Sequence, residues 1–197
     1  MLPLVEGSIR RHAADELYRA GACEQIAAIV DALFIEPQYI HGDVALVGTG
    51  DSFGEVAIIS DDCMKTPIIL RRDITSVTAI ELFEISAPPF APHEPVVLYP
   101  HTSIQEFSMR SAQYSSFDWI FMLRMNALHD KANDGILDDI SRVLKQGGVF
   151  VASGEHRALP YFQQHPMLEL QQTVYLDSVN GGYPFVEHHM GFVATKK

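Results

Sequence analysis

At 197 residues the chain is long enough for one domain with a full core and too short for two of ordinary size. Its 47% hydrophobic content is ordinary for a globular protein, and a formal net charge of −11 without any Lys/Arg-rich run argues against nucleic acid or anionic membrane as partners. Cys23 and Cys63 lack metal-ligand or redox spacing, no apolar run approaches the ~20 residues of a membrane span, and the start lacks a leader pattern, so a soluble cytoplasmic protein is expected.

Residues 8–35 are predicted as two helical segments. Leu17 and Ala20 share one face, Ile26, Ile29, Val30 and Leu33 form a second stripe beyond Gly21, and Pro37 ends the region. Val44–Val47 is the first strand, followed at once by Gly48-Thr49-Gly50-Asp51-Ser52-Phe53-Gly54, with a helix continuing over Val56–Ile59. Pro67–Leu70 suits either an extra strand or a loop. Val77–Ile80 is β-rich and Glu81 stands at its end. Four prolines between Ser86 and Pro95 predict an extended linker, after which Val96–Tyr99 is a third strand and Ile104–Gln113 a short helix.

Phe117-Asp118 opens a run, Trp119–Leu123, that is apolar on both faces, as suits a strand buried within a parallel sheet. Ile136, Leu137, Ile140, Val143 and Leu144 recur at helical spacing; Asn133 or Asp134 can cap that helix, and Lys145 with Gly147-Gly148 closes it. Val149–Ala152 is another buried strand. Strand, helix and strand in this order make a right-handed parallel crossover, hence an open α/β sheet whose ligands bind at the carboxyl ends of the strands. A loop with Pro160 and Pro166 leads to two longer strands, Leu168–Leu176 and His188–Thr195, an antiparallel pair around Asn180-Gly181-Gly182.

A strand running into Gly48-x-Gly50-x-x-x-Gly54 suits a phosphate or nucleotide, because glycine lets the backbone approach a ligand and turn tightly into a helix. Glu81 at the end of the next strand can accept hydrogen bonds from both ribose hydroxyls of a nucleoside.

This order of parts resembles the class I S-adenosylmethionine-dependent methyltransferases over about residues 40–195. Val44–Gly50 looks like their glycine-rich first motif, Ile80-Glu81 like their second-strand acid, and Phe117–Leu123 like their fourth strand. Ile140–Gly148 looks like the helix and glycine turn before their fifth strand, and the C-terminal pair like their reversed hairpin. The resemblance implies a Rossmann-like open sheet, mostly parallel with a C-terminal antiparallel hairpin and helices on both faces. It implies one domain over 1–197, with a helical lid region at 1–40 and the core at 41–197. S-adenosyl-L-methionine would place its methionine part near Gly48, Thr49 and Gly50, its ribose at Glu81, and its adenine between His101-Thr102 and Leu123-Arg124. The sequence departs from the family pattern at Leu46, where an acid is usual, and at Ser52, where the third glycine falls.

Within the resemblance, His129 in Leu128-His129-Asp130 is similar to the general base of small-molecule O-methyltransferases; alternatively it caps or packs against the following helix. His156, His165, His188 and His189 are too scattered for a metal site, and none is expected. The short lid points to a small acceptor, or to a partner subunit, as in a homodimer, completing the pocket. Three readings follow: a methyltransferase acting on a small molecule, a methyltransferase-like binding protein without catalysis, and an NAD(P)-dependent oxidoreductase.

Overall fold

The most apolar runs of the sequence become the middle of the sheet, because a strand flanked by strands and covered on both faces has no surface left for polar side chains. The structure is a computed structural model, and it describes residues 20–48, 53–63, 65–83, 90–111, 116–125, 135–176 and 189–197. Seven strands form one sheet in the order β3-β2-β1-β4-β5-β7-β6. They are β1 (Gly42–Val47), β2 (Ile74–Ile80), β3 (Val96–Tyr99), β4 (Phe117–Met125), β5 (Leu144–Glu155), β6 (Leu168–Tyr175) and β7 (His189–Lys196). The first five pair in parallel, whereas β7 runs antiparallel to both β5 and β6. This is the mostly parallel sheet with a reversed C-terminal pair that the sequence predicts.

Helices cover both faces. On one, α1 (residues 20–32) and the four-residue α2 (Val56–Ile59) pack over Val44, Leu46, Val77, Ala79, Phe121 and Val151. On the other, α3 (Ile104–Ser111), α4 (Ile136–Val143) and α5 (Leu159–Gln164) cover Ala45, Val47, Ile120, Met122, Phe150 and Ala152. The alternation follows from the two-residue period of a strand.

The helical stripe expected beyond Gly21 is present: Ile26, Ile29, Val30 and Leu33 are all buried. Helix α1 spans 20–32 with Gly21 at its described start, and the first expected helical segment, before residue 20, lies outside the described residues. Helix α1 is a core layer of the sheet, and the rest of the expected lid, residues 1–19 with Leu17, lies outside the described residues. Its start packs closely on the turn after β1. A Cβ at Gly54 would lie 2.9 Å from both the Cβ and the carbonyl oxygen of Ala22, so only glycine fits.

Two further expectations are corrected and one alternative is decided. The stretch expected as a loop with Pro160 and Pro166 holds a 3-10 turn (His156–Ala158) and α5, in whose first turn Pro160 sits, the place where a helix tolerates proline. Of the two alternatives for Pro67–Leu70, the loop is found, tied by isolated bridges from Ile68 to Phe90 and from Leu70 to Ser60. Lys145 does not close α4. Its Nζ reaches across the amino edge of the sheet to Oδ2 of Asp43 (2.9 Å) and Oδ2 of Asp118 (2.8 Å). Asp118 also accepts the backbone amide of Asp43 at 2.8 Å, and Ser76 Oγ donates to Asp43 Oδ1 at 2.7 Å.

β4 runs two residues beyond Leu123, and β5 begins before the Gly147-Gly148 turn, where the β4–β5 register jumps between Phe117↔Leu144 and Trp119↔Val149. Asn133, Asp134, Asn180–Gly182, His188 and residues 84–89 of the proline-rich linker lie outside the described residues. Among the described residues, no helix is long and apolar enough to cross a membrane.

Candidate functional site

β2 and β3 lie to one side of β1 and β4 to the other, so the chain reverses its direction of growth across the sheet between β1 and β4. Helices leave opposite faces at such a point and open a crevice at the carboxyl ends of the strands. A cleft of about 260 Å³ occupies this place. Val47 and Gly48 supply it from β1, Ile80 and Glu81 from β2, and Met122 from β4. Leu82, Phe83, Thr102, Ser103, Ile104, Gln105 and Ile136 complete the wall.

The two residues singled out at the first two strand ends are brought together. β1 and β2 pair as far as Val47↔Ile80, and the Gly48 amide then donates to the Ile80 carbonyl at 2.9 Å, which sets Gly48 beside Glu81. Gly48 has φ +71°, a left-handed turn that glycine adopts without steric cost. The Glu81 carboxylate is buried, 5% exposed, and its Oε1 accepts the backbone amides of Leu82 (2.7 Å) and Phe83 (3.3 Å). Backbone amides satisfy polar atoms that would otherwise be costly to bury.

The turn after β3 forms the opposite wall. Thr102 is buried, its amide donates to the Glu81 carbonyl at 2.9 Å, and its Oγ1 donates to the Pro100 carbonyl at 3.0 Å. Ser103 starts α3 with a reciprocal capping box: Ser103 Oγ accepts the Glu106 amide at 3.1 Å, and Glu106 Oε2 accepts the Ser103 amide at 3.0 Å. The Glu106 carboxyl is held below its ordinary range chiefly by that amide and by the Ser103 hydroxyl.

Other expected site residues stand elsewhere. His101 does not line the cleft and is exposed, with φ +52°. Leu123 is buried on the face that α1 covers; because β4 continues past it, side-chain alternation brings Met122 into the cleft instead. Arg124 lies within β4, with its side chain outside the described residues. Thr49, Gly50, Ser52 and His129 also lie outside them. Met122, Ile104 and Ile136 escaped sequence reasoning because an apolar residue at a cleft reads like any core residue. Among the described residues no group of three or more His, Cys, Asp or Glu is placed to hold a metal.

The chain matches no protein-family model and no curated protein. Its likeness is to solved structures. The putative S-adenosylmethionine-dependent methyltransferase of Listeria monocytogenes superposes with a TM-score of 0.58 at 12% identity, over 87% of this chain and 99% of that one. SMU.776, a putative methyltransferase complexed with SAH, gives 0.53 at 10% identity over 78% of this chain. The chain spans only 44% of the length of SMU.776. The N-methyltransferase NodS of Bradyrhizobium japonicum WM9 gives 0.50 at 12% identity, over 90% and 95% of the two chains. Sheet order, reversed C-terminal pair and structural likeness agree: this chain has the class I, Rossmann-like fold of the S-adenosylmethionine-dependent methyltransferases.

Proposed function

We propose that the protein is an S-adenosylmethionine-dependent methyltransferase acting on a small-molecule acceptor. The observation that carries this is the juxtaposition of Gly48 and the buried Glu81 carboxylate at one cleft of this fold. The residues present suit the cofactor. Glu81 offers an acceptor for a ribose diol, and Ile80, Leu82, Ile104 and Met122 offer apolar walls to a purine face. Bound S-adenosyl-L-methionine would supply an electrophilic methyl group.

The chain's own task is then to hold the donor, exclude water from the cleft and orient an acceptor. Gly48, Thr49, Gly50, Glu81 and Thr102 are assigned to the cofactor. His129, four residues past the end of β4 in the sequence, is assigned as the base that takes the acceptor's proton. A second reading, a methyltransferase-like binding protein without catalysis, is favoured by Leu46. That residue is 0% exposed among the apolar side chains under α1, in the place where the family usually carries an acid.

Calorimetric titration with S-adenosylhomocysteine and with NAD separates the readings. Binding of the first but not the second supports the proposal; binding of NAD alone overturns it. His129→Ala is expected to lower turnover by about 10²–10⁴-fold, the usual contribution of a positioned base, and to leave S-adenosylhomocysteine affinity unchanged. Unchanged turnover would remove His129 from the mechanism.

A further inference from the structure

His101 is one of three described residues other than glycine with positive φ, and the only one of them next to the cleft. A side chain in this region costs energy, and such outliers persist where surrounding structure enforces them. Its consequence is visible in the backbone. The left-handed step at His101 reverses the chain after β3 so that two successive amides face the turn after β2. His101 N donates to the Phe83 carbonyl at 3.4 Å, and Thr102 N donates to the Glu81 carbonyl at 2.9 Å. Residues 81–83 and 101–102 are thereby clasped to each other, and both turns wall the cleft.

The clasp bears directly on the carboxylate. It fixes the carbonyls of Glu81 and Phe83, the two ends of the turn whose Leu82 and Phe83 amides hold Glu81 Oε1. Past the clasp, Ser103 and Glu106 close their capping box, so the start of α3 is fixed independently and the strain falls on residue 101. The imidazole itself is exposed and lines nothing.

We infer that His101 is a positioning residue of the cleft: its left-handed backbone, not its side chain, locks the turn that holds the Glu81 carboxylate in place. The inference rests on the cofactor reading only for its effect on affinity; the clasp itself can be observed without ligand. Histidine enters this region more readily than most residues, glycine freely, and β-branched residues at high cost.

The test compares His101→Gly and His101→Val with the native chain by amide hydrogen exchange without ligand, then by S-adenosylhomocysteine titration. In His101→Val the amides of Leu82, Phe83 and Thr102 should exchange faster than in the native chain, while amides of β4 and β5 are unchanged. Affinity should fall by about tenfold, as loss of one to two kcal/mol of preorganisation implies. His101→Gly should keep both properties at native level, although it removes the whole imidazole. Should His101→Val fail to fold, His101→Ala, with a smaller penalty at positive φ, provides the same comparison. Native-like exchange at these amides in the valine or alanine variant, or loss of affinity in His101→Gly equal to that in His101→Val, would overturn the inference. A native chain that binds no S-adenosylhomocysteine would refute the cofactor reading alone, and exchange would still decide the clasp.

Discussion

The two edges of the same sheet hold their acidic side chains in opposite ways. At the amino edge, Asp43 and Asp118 share Lys145 and are further tied by Ser76 and a backbone amide. Charges of opposite sign meet through side chains, and the cluster binds β1, β2, β4 and β5 together. At the carboxyl edge, the Glu81 carboxylate is held by the amides of Leu82 and Phe83 and faces a cleft. A carboxylate quenched by a lysine staples strands; one oriented by backbone amides stays suited to a ligand's hydroxyl groups. On the proposed function, the contrast separates stability from binding within one fold.

Among substitutions at the two edges, Glu81→Gln gives the largest expected effect. Hydrogen bonds to a charged group contribute about 1.5–3 kcal/mol, so S-adenosylhomocysteine affinity, measured by calorimetry, should drop roughly ten- to a hundredfold, with little change in Tm. A similar affinity in the variant would place the diol elsewhere. Lys145→Met is the converse. The three ionic side chains of the network are 30–36% exposed, so solvent screening limits the expected loss of stability to about 1 kcal/mol. Urea unfolding should show that loss while ligand affinity stays at the native value.

The same network predicts a pH profile. Burial raises the Asp43 carboxyl, but hydrogen bonds from Lys145 and Ser76 and the Lys145 charge outweigh it and leave Asp43 below its ordinary range. Hydrogen bonds to Asp118 and Asp43 raise Lys145 above its ordinary value, against a smaller effect of burial. A depressed carboxyl stabilises the fold above its unfolded pKa and loses that contribution as pH falls through the folded one. A raised ammonium stabilises below its unfolded pKa and loses it as pH rises through the folded one. The native chain should therefore exceed Lys145→Met in stability between about pH 4 and 10, the ordinary carboxylate and lysine values, and the gap should close on either side. A pH-independent gap would assign the effect to packing. The smallest expected effect is that of Thr102→Val, which removes the neutral hydrogen bond to the Pro100 carbonyl and should cost about 0.5 kcal/mol in urea unfolding, the low end for such a bond.

What could be read from the sequence followed from local pattern. β1, β4 and β5 are dense in Val, Ile and Phe, and α4 has a clean helical stripe, so sheet and crossover were legible. Gly48 and Glu81 were legible because each stands at the end of such a strand. The misreadings came from contacts between distant residues or from one extra residue. Lys145 looks like a helix terminator until Asp43 and Asp118 are brought beside it. Pro160 looks like a loop signal, yet it occupies the first turn of a helix. Leu123 faces α1 while Met122 lines the cleft, since successive side chains of a strand alternate between its faces. Nothing local marks the positive φ of His101, which is seen only once the turns after β2 and β3 lie side by side.

The most direct test is the map of NMR amide shifts on titrating the native chain with S-adenosylhomocysteine. The account predicts saturable shifts at Gly48, Leu82, Phe83 and Thr102 on the carboxyl edge, with Asp43, Ser76 and Lys145 on the amino edge unmoved. Shifts confined to the amino edge or to neither edge would contradict it.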